Sequence, residues 1–380
     1  MVREHLEEFA FLSLIRHRSL FAPDFSCRQL ARLDQRLAAH WDGLAEGWPM
    51  SLSVAREKIV APADHWETYG ALRVWFELGD ATPGALAEGL AGLEAEALWP
   101  WREALCRCPQ PIVRVLLPDH LLDHPDPSVQ STALFALGWH GLLPAAGADQ
   151  WRRHADPLVR TCLARVAAWC GWPVETTTPL LADLDADEDR LVARAARWSA
   201  ALLDPVAVAD RCRQELAAEG ADPFTITILG LIGTPADIDL LLASAARPGL
   251  ADPALQALGD LGSPRAVTPL LAWLEDPEHG ARTAAALEAI LGAQAGPILE
   301  AGEAALRQEM WQQLHPRFAD AARFYHGLSW QGQEDPQGDP PVLHWRRSLY
   351  EAGQPAGGVK KEIPDPWFTL AADGAPTPGR

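Results

Sequence analysis

Three histidines and two aspartates lie close together in the chain: His120, His124 and His140, with Asp119 and Asp123. Imidazole and carboxylate are the usual ligands of a catalytic zinc or iron, and this spacing would let the five converge across one helical hairpin. His154 holds the same place ahead of an Asp-Pro pair as His124 does. That recurrence gives His124 a structural reason to be there. A second cluster is acidic: Asp183, Asp185, Asp187, Glu188 and Asp189. It has the composition of a calcium loop but lacks the glycine and the closing bidentate acid at the required positions. It reads as a solvated loop between helices, or as a contact surface for a basic partner. Tryptophan is the third resource, with 16 in the chain. Trp99, Trp101, Trp169, Trp198 and Trp273 read as fillers of helix-pair cores, and Trp139 and Trp172 as interface anchors.

No complete catalytic motif accompanies these clusters. No histidine is followed by glutamate, so the paired His-Glu dipeptides by which helical di-iron hydroxylases hold two hard metals are missing. Neither a Gly-x-Ser-x-Gly elbow nor a phosphate-cradling glycine loop occurs. Six cysteines are scattered, and the close pair Cys106-Arg-Cys108 has no second pair to complete a tetrahedral site. They read as reduced, buried thiols of a cytoplasmic protein. The expectation is a protein with no cofactor and no resident metal, and not an enzyme.

The elements that would position these residues are helices. Leu33, Leu37, Trp41 and Leu44 fall on one face at three- and four-residue steps behind a Ser26/Gln29 capping box, with a stop between Gly43 and Pro49. From there to Pro118, prolines and glycines punctuate shorter helical patterns. Beyond residue 120 a phrase repeats: Asp126-Pro127 leads to Ala136-Leu137-Gly138, and Asp156-Pro157 follows 30 residues later. A weaker copy starts near Asp187, another phrase at Asp222-Pro223, the clearest later copy at Asp252-Pro253, and a last one at Asp276-Pro277. Asp caps a helix, Pro suits its first position, small Ala residues let helices approach, and Gly ends the helix in a left-handed conformation. A period near 30 residues implies one helical hairpin per repeat. The fold class is therefore all-α, an α-solenoid of HEAT-like helical hairpins with an irregular C-terminal tail. Residues 1–118 form a helical region continuous with the array, 119–315 the repeats, and 316–380 a helix including Phe324 and Tyr325, a polar connector and an extended tail that either straps along the array through Trp367 and Phe368 or is partly disordered.

Charge narrows the partners. The formal net charge is −19, and residues 111–300 carry most of it, with 13 basic against 25 acidic side chains. Such a field repels phosphate backbones, which argues against nucleic acid and against the basic face of a helical-repeat DNA glycosylase, while it attracts cationic proteins. The N-terminus, with three acids among its first eight residues, does not read as a secretory signal, and no apolar stretch is long enough to span a bilayer. A soluble, cytoplasmic protein with no membrane partner is expected.

One stretch carries a likeness that periodicity does not. Glu4-His5-Leu-Glu7-Glu8-Phe-Ala10-Phe11-Leu12, then Arg16, Arg18, Ala22-Pro23, and Leu30 to Leu44 resemble the start of a proteobacterial family of HEAT-repeat proteins of uncharacterised function, often associated with type VI secretion loci. The likeness is specific over about residues 4–44 and generic over the repeats; at Pro340 to Trp345 it is loose. It implies a bacterial protein near a secretion or toxin system and transfers no catalytic residues. Two roles compete: an immunity protein that binds and neutralises a basic toxin such as a nuclease, and an adaptor or chaperone for a secretion effector or spike. Acidity favours immunity, with Asp183, Asp185, Asp187, Glu188, Asp189, Trp139 and Trp172 as the expected protein-binding residues. A metal-dependent enzyme centred on His120, His124 and His140, and an oligomeric scaffold, are the alternatives of other classes.

Overall fold

The structure is a computed structural model that describes residues 1–19, 27–218, 222–318, 323–325 and 328–330. It is helical almost throughout. The first seven helices are α1 (Val2–Ser19), α2 (Cys27–Glu46), α3 (Met50–Val60), α4 (His65–Glu77), α5 (Pro83–Leu90), α6 (Trp99–Arg107) and α7 (Gln110–Leu116). The next seven are α8 (Pro127–Trp139), α9 (Ala148–Arg152), α10 (Pro157–Val166), α11 (Val174–Asp185), α12 (Arg190–Leu203), α13 (Pro205–Ala217) and α14 (Pro223–Ile232). There follow α15 (Ile238–Ala245), α16 (Ala251–Leu261), α17 (Val267–Trp273), α18 (Gly280–Leu291), α19 (Ala295–Glu300) and α20 (Ala304–Leu314), then a two-stranded antiparallel hairpin, β1 (Arg323–Tyr325) and β2 (Leu328–Trp330).

The chain alternates between two layers. In the first, α1, α4, α6, α8, α10, α12, α14, α16 and α18 pack each against the next, and β1 lies on α18 at the end of the course. Members of the second layer, such as α11, α13, α15 and α17, pack against the first-layer helix that follows them in the chain. This is an all-α solenoid of helical hairpins. The cavity-forming end is α1 to α6, and α2 lies along α1.

Caps explain where the helices begin. A helix leaves its first N–H groups without intrahelical partners, and a side-chain oxygen just ahead of it can accept them. Asp126 accepts from Ser128 and Val129, Asp156 from Leu158, Asp189 from Leu191 and Val192, and Asp222 from Phe224, at 2.8 to 3.3 Å. A second tier lies two residues upstream: His124 Nδ1, His154 Nδ1 and Asp187 Oδ1 accept the N–H of Asp126, Asp156 and Asp189 at 3.1, 3.0 and 2.9 Å. His-x-Asp and Asp-x-Asp are thus one device.

The later copies depart from the phrase. Helix α16 starts ahead of its Asp-Pro, with Ala254 N–H bonded to Leu250 C=O, so Asp252 lies inside the first turn instead of capping it. Asp276 accepts from Glu278 and His279, and α18 begins only after them, so it caps a turn. The glycines also do a different job from the one expected. Gly138 lies inside α8, where a Cβ would meet Val166 of α10 at 2.5 Å, and Gly230 lies inside α14, 2.6 Å by the same measure from the Ala257 Cα of α16. They let neighbouring helices touch rather than end them. Gly262 does end α16 with φ +66°.

Residues 323–325 are a strand and not the continuation of a helix. Phe324 donates its N–H to Gly262 C=O at 2.6 Å and sets its ring edge-on to Phe318, 4.7 Å away. Those bonds draw the backbone out along the end of the array. The Ser26 capping residue, the connector, the tail and its Trp367 and Phe368 lie outside the described residues. Among the described residues no helix is long and apolar enough to cross a membrane.

The apolar core runs the length of the array in two clusters. One extends from Leu6 to Ala196 and the other from Trp198 to Phe324. Cys106, Cys108, Cys162, Cys170 and Cys212 are buried free thiols within them.

Helix propensity alone predicts that Gly230→Ala stabilises α14 by about 1 kcal/mol. The contact with the α16 backbone predicts the opposite, a loss of about 1 to 3 kcal/mol from overpacking. Urea denaturation of the two proteins decides; a gain in midpoint would remove the close-packing account.

Candidate functional site

The acidic run spans the end of α11 and the turn into α12, and three of its carboxylates pair with arginines. Asp183 pairs with Arg152 of α9. Asp185, only 5% exposed, pairs with Arg197 of α12 at 3.2 Å and with Arg211 of α13. Asp187 takes two bonds from Arg160 of α10, at 2.7 and 2.9 Å, besides holding the N–H of Asp189. Asp189 caps α12, and Glu188 is exposed. The run clamps four helices together. Arg197 extends the clamp to Glu215 and Thr225, so a charged network fills the step at which the apolar core changes from one cluster to the other.

Environment separates these carboxylates. Burial pushes Asp185 above the usual carboxylate range despite its two guanidinium partners. Burial acts on Asp187 as well, but the bonds from Arg160 and from the Asp189 N–H outweigh it and hold the group below that range.

Trp139 and Trp172, expected with this run to bind a partner, lie on other elements. Trp139 is half-buried and edge-on to Trp169 at 5.0 Å, and Trp172 donates its indole N–H to Leu143 C=O at 2.8 Å. Trp172 precedes α11 and Asp185 ends it, which separates them by the length of a 12-residue helix, about 18 Å. Trp172 and the end of the acidic run thus stand at opposite ends of α11.

The histidines do not converge either. His124 and His140 flank α8 at opposite ends, about 20 Å apart for its 13 residues. His124 is held by the Asp126 N–H, His140 Nε2 lies 3.0 Å from Leu105 C=O, and His120 is exposed in a short turn. Among the described residues no group of three or more His, Cys, Asp or Glu is placed to hold a metal.

A cavity of about 350 Å³ lies instead at the N-terminal end, between α1, α2, α4 and α6. Its walls are aromatic. Phe9 and Tyr69 lie nearly parallel with ring centres 6.3 Å apart, Phe9 leans on Trp41 at 5.5 Å, and Trp66 sits between His17 and Trp99. Its polar groups come from all four helices. Arg16 of α1 donates to Asp34 of α2 at 2.6 Å, and Arg107 of α6 to Glu103 at 2.9 Å. Arg73 of α4 pairs with Glu77, donates to Tyr69 Oη at 3.1 Å, and lies 5.2 Å from the centre of the Trp41 ring. Burial raises the Glu103 carboxyl, but Arg107, His17 and Arg16 together bring it below its usual range, so it is ionised.

Reading along the chain misses this cavity because its residues are spread from Phe9 to Arg107 and no short motif joins them. Four of them, Phe9, Arg16, Asp34 and Trp41, fall within residues 4–44. A second, mostly apolar cavity of about 580 Å³ lies between α3, α4, α5 and α6, with Trp75 and Trp101 in its wall and Arg56 paired to Asp80 beside it.

The Asp187 clamp has a signed pH dependence. A carboxylate whose folded-state pKa is depressed adds stability above its unfolded pKa and loses it as pH falls through the folded value. Asp187→Asn is expected to cost about 1 kcal/mol at pH 7, with the difference from wild type shrinking as pH drops below the ordinary carboxylate range. Denaturant melts at a series of pH values measure it, and a pH-independent difference would mean that the charge contributes nothing.

No family model matches the chain, and no curated protein matches it. Among solved structures, the crystal structure of an engineered protein is similar to 82% of this chain and 98% of its own, with 14% identity and a TM-score of 0.31. At that score the likeness carries no argument about fold or function.

Proposed function

We propose that the protein is a non-enzymatic binding scaffold that holds another protein against its helical array. The observation that supports this reading best is the array itself. From α1 to α18 one layer continues without interruption, and inter-repeat bonds such as Arg160–Asp187, Arg194–Asp222 and Arg102–Ser131 brace it. A braced array offers a broad surface ordered before the partner arrives, which lowers the entropy lost on binding.

The partner proposed is a basic protein. With Asp183, Asp185 and Asp187 paired to arginines, steering falls to other exposed carboxylates, among them Glu175, Glu188, Asp239 and Glu278. Their field reaches about 8 Å at physiological salt and speeds the approach of a cationic surface. Together with the likeness over residues 4–44, this favours an immunity protein that neutralises a basic toxin, such as a nuclease, of a type VI secretion system. The adaptor role is the other outcome of the test below.

The test is co-expression. The chain is expressed with a basic effector encoded beside it in a strain that the effector alone kills. Restored growth, and a complex in the cytoplasm whose association slows at least tenfold between 50 and 500 mM NaCl, is the expected outcome. A stable complex without rescue would select the adaptor, and no complex at either salt would discard the scaffold reading.

A further inference from the structure

The cavity between α1, α2, α4 and α6 stands apart from partner binding by the array, and its chemistry is specific. Three guanidiniums line it, Arg16, Arg73 and Arg107, against two carboxylates, Asp34 and Glu103. The acid that pairs with Arg73, Glu77, is not in the wall. Glu77 still neutralises Arg73 from behind it, so the three guanidiniums around the cavity are matched by three acids. What the lining offers a ligand is therefore donor geometry rather than net charge, since a guanidinium carries only N–H donors. The charges also differ in depth. Asp34 is 43% exposed and stands at the mouth, whereas Arg73 is 15% exposed. Arg73 uses Nε on Glu77 and Nη1 on Tyr69, and its Nη2 makes no hydrogen bond. Flat aromatic surfaces of Phe9, Trp41, Trp66 and Tyr69 surround it, and 350 Å³ falls within the range of small-ligand sites.

We propose that this cavity binds a small organic anion in which a flat ring carries a carboxylate or a phosphate. The anionic group meets Arg73 and its neighbouring guanidiniums, where a planar fork suits carboxylate and phosphate oxygens alike. The ring lies among the aromatic side chains, which reward a π-face without reading a particular substituent. A bare inorganic anion gains only the first of these contacts, and an organic cation gives the guanidinium N–H groups no acceptor.

Calorimetric titration of the full chain with indole-3-acetate, adenosine monophosphate, inorganic phosphate and benzyltrimethylammonium tests the proposal. One of the two ring-bearing anions is expected to bind one-to-one, at least tenfold more tightly than phosphate, and the ammonium ion not at all; which of the two binds tells carboxylate from phosphate. Asp34→Asn removes the acid at the mouth and is expected to tighten that anion three- to tenfold. Trp66→Leu is expected to weaken it at least fivefold. Arg73→Gln is expected to abolish binding; circular dichroism accompanies it, and if that variant unfolds, Asp34→Asn and Trp66→Leu decide alone. Absence of binding by both ring-bearing anions, preference for the ammonium ion, or unchanged or weaker anion binding in Asp34→Asn would each overturn the proposal.

Discussion

Each first-layer helix from α8 to α14 begins under a carboxylate that takes up the N–H groups the helix leaves unpaired, and the course of the array follows from where those starts fall. A cap fixes the first residue of a helix, the first residue fixes which side chains share a face, and the shared face decides what reaches the neighbouring repeat. Val129, Val159 and Val192 stand at the same distance from their caps and are all fully buried. Where the cap shifts, as at Asp252, the phrase persists in the sequence but its residues take other tasks.

Arginine links one repeat to the next, and this changes the meaning of the chain's charge. Arg152, Arg160, Arg194 and Arg213 each reach a carboxylate about 24 to 31 residues away, one repeat along. A guanidinium can satisfy a cap, a loop carboxylate and a backbone carbonyl at once, as Arg160 does with Asp187 and with His154 C=O. Much of the acidity in residues 183–189 is therefore internal. The field available to a partner comes from the carboxylates left in solvent.

The step between the two apolar clusters is where this polar bracing is densest. Around Arg197, ion pairs and hydrogen bonds lie beside the apolar packing, which passes from one cluster to the other along α12. Replacing such a network by apolar residues need not destabilise a protein, but removing one partner strands the other in a buried site. Asp185, buried with two arginines, is the group on which the step turns.

Helix starts, hairpin period and overall class were legible along the chain because the forces behind them act over a few residues. Asp ahead of Pro, apolar side chains every three or four positions and a 30-residue echo need no knowledge of distant partners. The acidic run, Trp139, Trp172 and the three histidines could be named as chemically capable, but their surroundings could not be read the same way. The arginines that neutralise Asp183, Asp185 and Asp187 come from α9, α10, α12 and α13, and the lengths of α8 and α11 keep apart the groups that looked like neighbours. The hairpin at residues 323–330 was missed because a bond to Gly262, some 60 residues away, overrides local helical pattern. Sequence alone determined the helical class, the hairpin period and the starts of the Asp-capped helices. Only the packed structure decided which charges meet and that four distant helices enclose a cavity, since both depend on contacts between residues far apart in the chain.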